Sequence, residues 1–350
     1  MNWVRFAVSG VLTVAAAVAQ PKEALDLNER GLAAAQRNEN AEAERLYRES
    51  LAKWRELGPE YEPHIATTES NLAHTLCAQG KRREGAKLFQ DAVALFRHSL
   101  GPKDLRTVTT MNLLGGVELM LGETDAATAL FEEALPIERE LYSNDLQLAR
   151  SLGGLAAVKL QTGKTAEALP LAEEALQIAL KSGGEESLDA ALAYASVAEI
   201  HRTAGRPDRA LPLYRKARAM YERLLGPTHV RVASMLSQEG LVLMADGKLS
   251  LAEQAMQRSL DLIDTSCPAC TLERIVGETN LGLLRIKQRK YPEADRLLSH
   301  ALAIQEQYWP QPGPDLAYTL KALSLVRQKE RMFDDAARLS KRASMIGSYQ

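Results

Sequence analysis

The sequence predicts an all-α fold, a solenoid of about eight helix–turn–helix units, from three observations. The composition is 46% hydrophobic and 25% charged but only 5% aromatic, with Ala and Leu conspicuous. That mixture favours helices, since β-branched and aromatic side chains do the packing in sheets. Short turn sequences also recur at a nearly constant spacing, and columns of small residues share that spacing. Overall the composition lies near the globular average, which excludes disordered, collagen-like and disulfide-framework classes. The 350 residues carry 43 Lys+Arg against 45 Asp+Glu, a formal net charge of −2. A nucleic-acid partner is not expected, because counterion release needs a concentrated basic surface.

The first residues read as an export signal. Met1 to Arg5 carry one positive charge, Phe6 to Ala19 form a 14-residue apolar run, and Ala17-Val18-Ala19 before Gln20 is a small-x-small cleavage pattern. A membrane span needs roughly 20 apolar residues, so residues 1–19 are expected to be a signal peptide cleaved near Ala19/Gln20. No Cys follows the site, which argues against a lipoprotein anchor. The mature chain, 20–350, is expected in the periplasm, at the cell surface or outside the cell, without membrane insertion and with its oligomeric state open.

Gly80-Lys81, Gly122-Glu123, Gly163-Lys164, Gly205-Arg206 and Gly247-Lys248 are spaced by 42, 41, 42 and 42 residues. Stepping outward by 42 reaches Asn38, Arg289 and Arg331, giving units of approximately 24–63, 64–104, 105–145, 146–186, 187–228, 229–270, 271–313 and 314–350. Five residues after each turn stand Ala43, Gly85, Ala127, Ala168, Ala210, Ala252, Ala294 and Ala336. Seven before stand Gly31, Ala73, Gly115, Ala156, Ala198, Gly240, Gly282 and Ser324; twelve after stand Ser50, Ala92, Ala134, Ala175, Ala217, Ser259, Ala301 and Ala343. Small residues in register let antiparallel helices approach within about 8 to 10 Å.

Each unit then reads as one helix before its turn and one after it, for example Ile65 to Gln79 and Arg83 to Ser99, both with apolar residues at three-and-four spacing. Tyr47, Phe89, Phe131 and Tyr214 are the expected fillers between the crossings, with Met256 and Leu298 substituting. Gly caps the first helix in five units. Gly58-Pro59, Gly101-Pro102 and Gly226-Pro227 end second helices. Pro136, deep in a second helix, is expected to kink it.

These columns, the Gly-Lys turn and the Gly-Pro linker resemble the tetratricopeptide repeat family, in its 42-residue form found in kinesin light chain. Asn71-Leu72-Ala73…Gln79-Gly80-Lys81 and Gly226-Pro227-Thr228-His229 carry the likeness, which covers about residues 24–348. The resemblance implies a right-handed superhelix whose concave wall is formed by the first helices. It also implies a non-catalytic scaffold that binds a peptide segment of a partner protein. Inward residues are then those nine and ten before each turn, helped by those six and three before. The candidate groove residues are Asn71, His74, Asn112, Gln238, Met244, Asn280 and Ile286. Asn and Gln offer both donor and acceptor to a peptide backbone, and Met and Ile offer adaptable apolar contact. Gly115-Gly116 and Gly153-Gly154 are expected to leave room for bulky partner residues. No cluster of Lys, Arg and Asn that would grip a terminal carboxylate occurs at these positions.

Catalytic constellations are not expected. Gly163-Lys164-Thr165 resembles the end of a phosphate loop, but Val158 stands where that motif needs Gly, and a helix precedes it. The six His lack the spacing of zinc hydrolases, so neither metal nor cofactor is expected. Cys267-Pro268-Ala269-Cys270 falls in a linker, where a small local disulfide is the expected state. The spacing also suits dithiol exchange or half of a metal site, which leaves a redox-active adaptor as the competing reading and a self-assembling spacer as a third.

Overall fold

In the computed structural model, residues 21–141, 146–267, 270–308 and 314–347 are described. The signal segment 1–19 and its cleavage site lie outside them. The described residues form sixteen α-helices and no strand. The chain divides into two units, residues 1–118 and 119–350.

The first unit holds α1 (21–36), α2 (Asn40–Leu57), a short 3-10 turn (Pro59–Tyr61), α3 (Glu62–Ala78), α4 (Arg82–Leu100) and most of α5 (Leu105–Leu121). The second holds α6 (Thr124–Leu141), α7 (Leu146–Gln161), α8 (Thr165–Gly183), α9 (Leu188–Thr203), α10 (Pro207–Leu225), α11 (Val230–Ala245), α12 (Leu249–Ser266), α13 (Thr271–Lys287), α14 (Tyr291–Tyr308), α15 (Pro314–Lys329) and α16 (Phe333–Gly347). Within each unit odd-numbered helices pair with the following even-numbered ones, as α3 with α4 and α9 with α10, and each pair packs on the next.

The small-residue columns act as the sequence implies. A Cβ on Gly31 would lie 2.8 Å from the Tyr47 ring, on Gly240 2.5 Å from Met256 Cγ, and on Gly282 2.8 Å from Leu298 Cγ. Each glycine therefore seats the filler sixteen residues later in its own hairpin, and Tyr47, Phe89, Phe131, Tyr214, Met256 and Leu298 are all buried. Where Ser replaces Ala or Gly in these columns, its hydroxyl reaches the facing helix. Ser50 Oγ donates to Ala24 O and Ser259 Oγ to Ala233 O, both at 2.7 Å, and Ser324 Oγ to Ala336 O at 2.8 Å. A polar atom in a dry helix crossing is thus satisfied by a backbone carbonyl.

Most turns close by one hydrogen-bond pattern, exemplified by Lys81 N–H to Leu76 O at 2.9 Å and Lys248 N–H to Leu243 O at 2.9 Å. This motif needs a left-handed residue one position earlier. Asn38, Arg289 and Arg331 adopt it without being glycine, at φ 60°, 61° and 63°. Helix α6 runs unbroken through Pro136. Not every carboxylate lies on a solvated face. Glu69, Glu239 and Glu278 are buried and meet Arg55 (2.8 Å), Arg218 (2.6 Å) and His300 (2.8 Å) from neighbouring helices. Burial still pushes the Glu69 and Glu278 carboxyls up, with Arg55 and His300 opposing it.

Candidate functional site

Successive first helices face each other in a register of 43 residues, one more than the repeat. Asn71 Nδ2 donates to Asn28 Oδ1 (3.2 Å), and Asn280 Nδ2 donates to Ser237 Oγ (2.9 Å). These are polar rungs between neighbouring hairpins. The same register sets Gly153 opposite Ser196 and Ala195 opposite Gln238, each pair lining one cavity. Gly and Ala supply no polar group, so these rungs stay open. The Ser196 hydroxyl bonds back to Leu192 O (3.1 Å), and Gln238 Oε1 is buried without a partner.

The candidate groove residues therefore separate. Asn71 and His74 come together in the first unit, lining a cavity of about 360 Å³ with Leu32, Gln36 and Thr75. In the second unit, Gln238 lines a cavity of about 240 Å³ with Gly153, Leu160 and Met235. Asn112 is half-buried on α5. Met244 and Ile286 are half-buried and pack against apolar clusters of their own hairpins, so they contribute to the wall as much as to its surface. Asn280 is a correction to the expected groove set: it is 6% exposed and engaged by Ser237, inside the wall rather than on it. The glycine pairs also divide. Gly116 and Gly153 have open space where a Cβ would stand, whereas Gly154 lies against the Phe131 ring and Gly115 is buried.

One charged group that periodicity did not single out, Glu199, borders the Gln238 cavity. Glu199 accepts from Arg202 Nε (2.8 Å) and from the buried Tyr214 hydroxyl (2.5 Å). Burial and the adjacent carboxylate push the Tyr214 phenol far up, so its proton stays in this bond. Glu199 and Arg202 stand three residues apart on α9, but no period of the sequence links them to Tyr214 on α10. Another histidine, His201, is buried on α9, and burial lowers its pKa, with Arg209 and Arg206 adding to the effect.

The linker cysteines form a disulfide, Cys267–Cys270, with Cα atoms 5.3 Å apart; Pro268 and Ala269 lie outside the described residues. Cys270 is the N-cap of α13, and Arg274 in its first turn pairs with Asp264 of α12 at 2.5 Å. Cys77 is free, and burial pushes its thiol up to about 11, which removes it from thiolate chemistry. Among the described residues no group of three or more His, Cys, Asp or Glu is placed to hold a metal ion. No described helix is long and apolar enough to cross a membrane.

The tetratricopeptide repeat model matches residues 64–140, 147–223 and 189–264, and a second tetratricopeptide repeat model matches 20–57. The chain belongs to the tetratricopeptide repeat family. Several solved structures share its fold. The apo form of RapI is similar at 16% identity with a TM-score of 0.65, covering 83% of this chain and 100% of that one. The Rap conjugation gene regulator of plasmid pLS20, in complex with the Phr* peptide, is similar at 14% identity and TM-score 0.64, covering 83% and 76%. A tetratricopeptide repeat protein from Parabacteroides merdae is similar at 15% identity and TM-score 0.52, covering 85% and 99%. No curated protein matches the chain.

Proposed function

We propose that this tetratricopeptide repeat protein is a non-catalytic scaffold, working outside the cytoplasm, that holds a peptide segment of a partner protein along its first helices. The observation that carries this reading is where large apolar side chains stay exposed. Among the described residues, ten large apolar side chains on first helices stay 39 to 53% exposed, among them Leu25, Leu113, Leu192, Val276, Tyr318 and Leu325, against five on second helices, Leu141, Leu224, Leu251, Phe333 and Met345. That two-to-one excess on first helices favours a contact surface there over a merely solvated wall. A peptide-bound relative of the same fold, the pLS20 Rap regulator, supports the same use of the scaffold. Export is supported by the signal pattern of residues 1–19. The disulfide is then a staple in the linker between α12 and α13.

Photo-crosslinking tests the reading. A crosslinker at Leu192 or Leu325 should capture a defined partner segment from the exported fraction, while one at Leu251 on the second helix α12 should not. Equal yields from both kinds of helix would overturn the groove assignment.

A further inference from the structure

Two cavities in the second unit meet at the open rungs. One holds about 240 Å³ around Gln238, the other about 250 Å³ around Ala149, Leu192 and Ala193, and both are bounded by Gly153 and Ser196. A Cβ on Gly153 would touch nothing within 4 Å, so no side chain stands where the two cavities share their wall. An apolar cavity of about 150 Å³ already accepts a benzene ring, so each is large enough for an aromatic or branched aliphatic side chain.

The charges at the rims are closed internally. Arg150 pairs with Asp189 at 3.1 Å, and Glu199 is held by Arg202 and Tyr214. A charged anchor would meet groups whose charge is already compensated and would give up its own hydration, whereas a neutral apolar one leaves both pairs in place at no such cost. Among the residues lining the two cavities, the buried side-chain atom lacking a partner is Gln238 Oε1, at the position where the neighbouring rung pairs Asn280 with Ser237. A backbone N–H supplies the missing donor. In an extended chain the nearest side chains on one face are alternate residues, about 7 Å apart, which suits two pockets that share a wall.

We infer that the open rungs at Gly153/Ser196 and Ala195/Gln238 form one bipartite pocket for a neutral, extended peptide segment bearing two bulky apolar side chains on alternate residues, its backbone held by Gln238. This rests on the peptide-scaffold reading and names the chemistry of its partner. It also separates the second unit's groove from capture of acidic or C-terminal peptides.

Titration calorimetry of the mature chain with capped pentapeptides tests it. The probe acetyl-Ser-Phe-Ser-Phe-Ser-amide should bind at least about tenfold more tightly than the same peptide with Asp for Phe, or with adjacent Phe residues. Gly153→Leu fills the junction and should weaken the probe by about tenfold or more, with helicity unchanged. Gln238→Ala should weaken it by about fivefold. Should Gly153→Leu lose helical signal, Ala157→Leu at the exposed mouth of the Gln238 cavity replaces it. Equal affinity for the Asp peptide, or unchanged affinity in the folded filling variant, overturns the inference. Photo-crosslinking keeps the two proposals apart. A partner segment captured at Leu192 and insensitive to Gly153→Leu leaves the scaffold standing and removes this pocket.

Discussion

Asn280 and Gln238 occupy the same place in consecutive repeats, nine residues before the turn, yet the structure assigns them opposite roles, and stability measurements separate those roles. Asn280→Ala removes the donor to Ser237 Oγ in a site where both residues are buried. Leaving a buried hydroxyl without its partner costs about 1–3 kcal/mol, so a loss near 2 kcal/mol is expected. Gln238→Ala deletes a carboxamide whose oxygen already lacks a partner. Relief of that atom offsets the lost packing, and the change should stay within about 0.5 kcal/mol of zero. The double variant Ser237→Ala/Asn280→Ala removes both ends of the rung, and its cost should fall short of the summed single changes by about 1 kcal/mol. Urea titration followed by far-ultraviolet circular dichroism measures these differences. Hydrogen exchange at α11 and α13 localises them, because repeats need not unfold together. If Gln238→Ala costs as much as Asn280→Ala, the distinction between closed and open rungs is wrong.

Three further outcomes follow from the geometry. Arg289→Gly and Arg331→Gly should each raise stability by about 0.5–1 kcal/mol in thermal melts, because a left-handed non-glycine residue costs about 1–3 kcal/mol and glycine's extra unfolded-state freedom returns part of it. His201 has its pKa lowered by burial, so as pH falls below about 6.5 the unfolded chain takes up the proton first and stability declines. Glu69 and Glu278, with raised values, act in the opposite sense as pH falls, so the His201 contribution is read as the difference in slope between wild type and His201→Leu from pH 7 to 5. Intact mass of protein recovered from the exported fraction should begin at Gln20; a full-length mass there would refute the cleavable signal.

The hairpins were legible because small residues and fillers repeat with the chain's own period. Gly240 and Met256 identify one another by a fixed offset of sixteen, as do Gly31 with Tyr47 and Gly282 with Leu298. The site was less legible because its decisive register is 43, a relation between neighbouring repeats that columns of period 42 conceal. That is why Asn280 reads as a groove residue in the sequence and lies within the wall in the structure. Buried charges escaped for a similar reason: Glu239 is carried by Arg218, and Glu278 by His300, across helix pairs that no local spacing connects. The disulfide was readable because both its cysteines lie within a single turn of chain.

The distribution of turn residues gives the second unit a direction of weakness. Its turns from Gly122 to Gly247 use glycine, whereas the final two rest on Arg289 and Arg331 in strained backbone. The two hairpins beyond the linker, α13–α14 and α15–α16, therefore carry backbone strain that the four glycine-turned hairpins before it do not. The covalent loop at Cys267–Cys270 marks the boundary between the strained and the glycine-turned hairpins. Within the second unit, the open rungs lie among the glycine-turned hairpins, across the staple from the strained turns.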